Sequence, residues 1–588
     1  ENIQAITTAD IMHIIITQLY AIGTNTSSFI TNEKVVLTTY QFANVGSSFI
    51  TGLGTDDIAA LETQDLTQII QDGAIPGLST AQINALLTSR FKELTTGQVA
   101  NLSNAQILGL TTDHMAAFTT AQISAIQPSS LVGLGENIQA ITTDDIPHMT
   151  VEQLNALADG SDNFTTDQVV QMTSAQFAGI NSNFFGTLLT TQLNVLSGEQ
   201  LAEVLTDGIA NLTTEELNVL LTTSFESLTP GQVNVLDSAQ ISNLTTDHMA
   251  AFTTAQIGSI LPSSLVGLGS DNLQAITTDD IPHMTTEQLN ALASESEYFT
   301  TGQVAQLTSN QFGANLTSNF FTQLTSAQVD ALSTDAMGNI IVSNIPYLNA
   351  EGFNYDHALV LTTDRVEAIG TDKIEDLRTQ FISGLIASQF NVFTTTELNL
   401  LSSYQIQALG TEDFANLTSN RLTCLNTDAV SVLTSDQVNA VLAVNVDNFT
   451  ADQIAVLGTN VIQNLETELL QALSSDKIAA ISTSGINVLT SSQVLALQSE
   501  DFVAMTTDQV TAWDVSTFSS IEGAVYGMSW SDSSSYSLNV GPTPTGYPLL
   551  DGVLNMHANS IAAIPAGIKA LPYMVNFIEA RSASGERL

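Results

Sequence analysis

One cysteine, Cys424, stands in 588 residues, so no disulfide can close within the chain. Cations are nearly as scarce: 11 Lys and Arg stand against 59 Asp and Glu, a net charge of −48. Between Lys92 and Arg365 there is no Lys or Arg at all. A chain of this kind offers no basic surface to a phosphate backbone, which argues against nucleic acid as a partner. It also gains no electrostatic attraction at an anionic lipid surface. No apolar run reaches the roughly 20 residues a spanning helix needs. The signatures of catalysis are missing too: there is no G-x-S-x-G elbow, Walker A loop, dinucleotide fingerprint or HExxH. An enzyme is therefore not expected. The excess negative charge keeps a large apolar-cored chain in solution and repels copies of itself, a repulsion that salt or divalent cations relieve.

What is present is a register of eight residues. From Leu94 the chain reads LTTGQVAN, LSNAQILG, LTTDHMAA, FTTAQISA, with large apolar residues at Leu94, Val99, Leu102, Ile107, Leu110, Met115, Phe118 and Ile123, in steps of 5 and 3. Between Phe393 and Ile521 the register holds without a slip for 521 − 393 = 128 residues, or 16 octads. Odd steps put apolar residues on both faces of a strand, so a simple strand is excluded. A very short helix fits. With Thr95 as N-cap, Gln98 has the capping-box spacing, and Leu94 with Val99 makes a hydrophobic staple. The next octad brings a new cap, so each helix is expected to stop after about six residues. Such helices are unstable alone and must stack, which predicts an all-α solenoid of very short capped helices. The alternative is a β-solenoid with the Thr-rich segments extended.

A longer repeat overlies the octad. TTDHMAAFTTAQI starts at Thr111 and again at Thr245, an offset of 245 − 111 = 134, and ITTDDIPHMT starts at Ile141 and Ile276, an offset of 135. ENIQAITT at Glu1 matches the segment at Glu136, so the chain starts in register inside a repeat, as a processed or partial piece would. The expected division is a repeat solenoid over residues 1–521 and a non-repeat region over 522–588, irregular or β, serving assembly or capping. In that region Tyr526, Trp530, Tyr536 and Tyr547 could line a sugar site or form a small core.

Candidate sites are few, and no catalytic or cofactor-binding residue is assigned. His114 and His248 are repeat equivalents standing where Gln usually caps; His148 and His283 are equivalents beside Met149 and Met284; His13 occupies the same place in the first copy. None has metal-ligand spacing, and duplication explains the recurrence. Acidic pairs Asp56–Asp57, Asp144–Asp145, Asp279–Asp280 and Glu215–Glu216 are placed in the first turn of the octad helices, where they suit the helix dipole. No metal site is assigned; Asp144, Asp145, Asp279 and Asp280 are weak candidates for surface Ca2+. Cys424, beside Leu422 and Leu425, reads as a small half-buried residue. Sequons at Asn101, Asn163, Asn211, Asn243 and Asn448 arise wherever Asn precedes the apolar–Thr junction.

The tract LTTGQVANLSNAQILGLTTDHMAAFTTAQI resembles the Leu-Thr-Thr-x-Gln-Val/Ile repeats of very large bacterial surface and secreted proteins, described as adhesin- or haemagglutinin-like. The resemblance covers residues 37–521. It implies an extracellular, cell-surface role and carries over no functional residue. The expected function is a structural scaffold: an adhesin stalk, surface filament or surface layer built by self-assembly. The alternative is an adhesive module that recognises cell-surface glycans or host proteins.

Overall fold

The computed structural model describes residues 7–11, 13–22, 37–61, 75–313 and 316–498, with isolated positions to 509. The chain folds as two compact units, Glu1–Phe299 and Thr300–Leu588. Within each unit the regular elements among the described residues are short α- or 3-10 helices, with no strand. Each unit is an all-α repeat solenoid, and the β-solenoid alternative falls for the described residues. The expectations for Glu1, for residues 522–588 and for Tyr526, Trp530, Tyr536 and Tyr547 lie outside them.

The local rule works as the spacing predicts. Thr95 adopts extended backbone, accepts the Gln98 N–H on its hydroxyl at 3.3 Å and donates its own N–H to Gln98 Oε1 at 2.8 Å. This reciprocal box opens the helix Thr96–Ala100, and the Asn101 N–H closes it on the carbonyls of Gln98 and Val99. Leu94 and Val99, the staple pair, are both buried. The same box opens Pro230–Asn234 on Thr229 and Gln232 in the first unit, and Ala451–Ala455 on Thr450 and Gln453 in the second.

The tertiary structure adds what the octad alone does not contain. In both units capping Gln side chains use the oxygen for the cap and the amide for the turn of coil before. In the first unit Gln153 Nε2 donates to Ile123 O at 2.7 Å and Ile126 O at 2.6 Å, and Gln232 to Leu201 O at 2.7 Å and Val204 O at 2.6 Å. In the second unit Gln389 reaches Ala358 and Leu361, Gln405 reaches Ile374 and Leu377, and Gln453 reaches Leu422 and Leu425. Donor and acceptor are 27 to 31 residues apart. With eight residues per octad, one turn takes about three and a half octads. A second ladder runs the other way. Asn218 Nδ2 donates to Asn243 O at 2.8 Å while its Oδ1 accepts from Thr245 N at 3.0 Å, and Asn399 does the same with Cys424 O and Asn426 N. Side chains thus stitch each turn to both neighbours.

Some octads depart from the rule. Helix Ser435–Val444 runs for 10 residues, because Leu442 stands where a Thr or Ser cap is needed and Asn445 where Gln would return. With no competing cap, the helix continues. Cys424 is exposed rather than half-buried, since it lies past the last turn of Ser419–Thr423, where its N–H closes the helix on Arg421 O and Leu422 O and its carbonyl accepts from Asn399. Pro147 and Pro282 turn their octads into 3-10 helices, Ile146–His148 and Ile281–His283, preceded by Asp145 and Asp280 as N-caps. These two acidic pairs therefore precede the helix instead of filling its first turn; Asp56–Asp57 and Glu215–Glu216 do lie in first turns. Duplication repeats such detail: Gly133 and Gly135, and Gly267 and Gly269 one copy later, all take positive φ, where a side chain would be strained.

Candidate functional site

The most specialised position in the chain is the one Gln usually fills. Its backbone setting is fixed: a cap N–H on one side and buried carbonyls of the preceding turn on the other. Some of the residues that replace it keep the donor. Ser224 Oγ donates to Leu196 O at 2.8 Å, Ser264 Oγ to Leu236 O at 2.7 Å, and Asn344 Nδ2 to Leu316 O at 3.0 Å. Several of the scarce cations are also spent on such bonds: Arg365 Nε donates to Ile340 O at 2.7 Å, Lys373 Nζ to Leu348 O at 2.6 Å, Lys477 Nζ to Val446 O at 3.0 Å, and Arg421 to Phe393 O.

The histidines divide in the same way. His114 and His248 are buried in the ladder, with Nδ1 2.6 Å from the hydroxyls of Thr111 and Thr245. Their Nε2 atoms face the carbonyls of Leu86 at 2.7 Å and Leu220 at 2.8 Å. A carbonyl only accepts, so Nε2 carries the proton and neither nitrogen is open to a metal. His13, His148 and His283 are exposed.

His357 fills the same column with a different cap partner. It donates from Nε2 to Leu332 O at 2.9 Å and accepts the Asn354 N–H on Nδ1 at 3.4 Å. Burial pushes its pKa below the ordinary value of 6.5. The unfolded chain then takes up a proton at a pH where the folded chain does not. Stability is complete above about 6.5 and falls as pH drops from there to the depressed folded value, by at most ~1.4 kcal/mol per pH unit. His357→Gln, which supplies the usual ladder residue, should remove this component. If urea midpoints of wild type and variant keep a constant gap across that window, His357 does not contribute it.

The weak Ca2+ candidates do not converge. Asp144 and Asp279 are exposed, whereas Asp145 and Asp280 are buried and accept from the hydroxyls of Thr142 and Thr277, each at 2.5 Å. Burial raises the Asp280 pKa. Among the described residues, no three His, Cys, Asp or Glu side chains come together as metal ligands would. The sequon residue Asn448 is buried with its Oδ1 bonded to Ser419, which closes it to a glycan.

One open cleft of about 430 Å³ lies within the second unit, lined by Tyr347, Asn349, Glu351, Lys373 and Asp376 among others. It follows the 3-10 segment Val342–Tyr347, where Pro346 interrupts the octad. Tyr347 is half-exposed there, and burial lowers the Lys373 pKa.

Residues 406–441 and 462–499 match the ALTTAQ repeat family. This is a helical repeat protein. The ALTTAQ segments contain Gln437 and Gln493, both bonded to the turn before. No curated protein matches the chain. Among solved structures, one titled "Structure of APUM23-GGAGUUGACGG" is similar over 80% of this chain and 92% of that chain, at 12% identity and a TM-score of 0.14. A score that low carries no argument about this repeat protein. No helix among the described residues is long and apolar enough to cross a membrane.

Sequence reasoning identified the Gln column as a cap and missed its second role. The available signal was that His, Ser, Asn, Arg and Lys replace Gln there. These are donors, whereas a cap return alone calls for an acceptor such as Glu216, Glu397 or Asp413, which also occur there.

Proposed function

We propose that the protein is an extracellular structural element that bears load along its coil, as an adhesin stalk, surface filament or surface layer assembled from copies of itself. The observation that carries this reading is the side-chain ladder. The side chains best suited to chemistry, such as buried His and Gln and half-buried Arg and Lys, are bonded to carbonyls of the neighbouring turn. What remains outside is mostly acidic and polar, with single apolar side chains such as Leu189 and Ile386 among them, and the net charge is −48. Such a surface keeps copies apart until cations screen it, which suits assembly controlled from outside. Negative-stain electron microscopy of the native material, with and without millimolar Ca2+ or Mg2+, tests the reading. Ordered filaments or lattices are expected. Dispersed monomers under all conditions would overturn it.

The second reading, an adhesive module for glycans or proteins, is favoured by the cleft at Tyr347. Dispersed monomers that bind a glycan array and lose that binding in Tyr347→Ala would support it.

A further inference from the structure

We propose that the cleft at Tyr347 binds an uncharged pyranose ring of a glycan; this rests on the adhesive reading and gives it a ligand class. The cleft exists because one repeat is cut short. Asn349 caps the 3-10 turn Ala350–Gly352, and the next cap is Asn354, 354 − 349 = 5 residues on in place of the usual eight. Gly352 lets this short loop draw inward: a Cβ there would collide with Val329 and lie 2.6 Å from Ser326 O. Three residues of wall are therefore missing beside Pro346 and Tyr347. The recess they leave is floored by the buried Leu324 and Leu348. Its volume of about 430 Å³ falls within the roughly 300–1,000 Å³ of small-ligand sites.

The polar groups lining this recess are not consumed by the fold, unlike those of the ladder. Among the described residues, none donates a hydrogen bond to the carboxylates of Glu351 and Asp376. Asn349 accepts the Glu351 N–H on Oδ1 at 3.1 Å, which leaves its amide as a donor. Lys373 Nζ uses one of its three N–H groups on Leu348 O at 2.6 Å. Tyr347 stands 47% exposed on the rim. An aromatic ring, two acceptors and spare donors over an apolar floor complement a sugar, whose C–H face lies on a ring and whose hydroxyls both donate and accept. Charge narrows the class. Glu351, Asp376 and the adjoining Asp372 and Glu375 outnumber Lys373 in a chain of net charge −48, so a uronic or sialic acid meets repulsion. A peptide backbone finds no strand edge to pair with among the described residues.

The test uses the full chain on an array of neutral, uronic, sialylated and free-amine glycans, followed by isothermal titration calorimetry with the glycans that bind. Neutral glycans should bind and acidic ones should not. Tyr347→Ala should weaken binding about tenfold, whereas Tyr347→Phe, which keeps the ring, should bind as wild type does. E351Q/D376N should admit uronic sugars that wild type rejects. Tyr347, Glu351 and Asp376 are all exposed, so melting followed by circular dichroism should stay at the wild-type temperature in each variant. Neutral glycans held equally by wild type and Tyr347→Ala overturn the proposal, as do uronic sugars that wild type binds as well as neutral ones. Binding of acidic or free-amine glycans alone, lost in Tyr347→Ala, also overturns it and leaves the adhesive reading standing. Binding of no glycan at all overturns it and leaves that reading only its protein partner.

Discussion

Val438→Asp should destabilise the second unit by several kcal/mol and open the coil around residues 406–454. Val438 is fully buried in helix Ser435–Val444, beside the equally buried Val441 and Leu442. The substitution puts a carboxylate among aliphatic side chains with no cation at hand. An unpaired buried charge either costs several kcal/mol or takes up a proton at nearly the same expense. The damage should spread, since Gln437 next to it ties Thr434 N to the carbonyls of Ile406 and Leu409, and helix Ser435–Val444 packs on Thr411–Ala415. Amide exchange should accelerate on both turns. Unchanged melting would mean that Val438 does not face the core. Val438→Ala separates charge from cavity; it should cost only about 1–2 kcal/mol for the lost methyl groups and the space they leave.

Gln232→Glu should cost about 2–4 kcal/mol in the first unit, although it only replaces the amide NH2 with an oxygen of similar size. The new carboxylate still accepts the Thr229 N–H, now held at 2.7 Å. It loses both donations, to Leu201 O at 2.7 Å and Val204 O at 2.6 Å, and puts negative charge against those two oxygens. The carbonyls are buried and have no water to turn to, which is why the loss exceeds that of a surface hydrogen bond. Exchange should rise for amides near residues 201–204 and 229–233 ahead of the rest of the unit. Acid should partly rescue the variant, because protonated Glu restores one donor. If Gln232→Glu melts with wild type, the ladder is geometry without energy, and the load-bearing proposal loses its support.

Both expectations rest on features of unequal visibility in the sequence. That Thr229 and Gln232 form a capping box could be read from four consecutive residues, since every partner lies within one helical turn. The burial of Val438 followed from its place in the octad. The long helix Ser435–Val444 was also open to reading, because Leu442 and Asn445 cannot cap, although the strictness of the apolar register concealed it. The Asp144–Asp145 pair was misplaced because Pro147 changes the helix type, which moves the helix start past both carboxylates. Cys424 was misjudged because its neighbours Leu422 and Leu425 are buried, yet it follows the end of a very short helix and faces out.

The amino-acid sequence by itself determined where the regular octad helices start and stop, because capping and stapling are contacts between residues at most five apart. It could not say how many octads make a turn. That number comes from how buried side chains on neighbouring turns fit one another, and with it comes the carbonyl, 27 to 31 residues back, that each Gln amide meets. Only the tertiary structure turned a column of caps into a ladder, since a hydrogen bond needs its acceptor within about 3 Å and the octad pattern fits many pitches equally well.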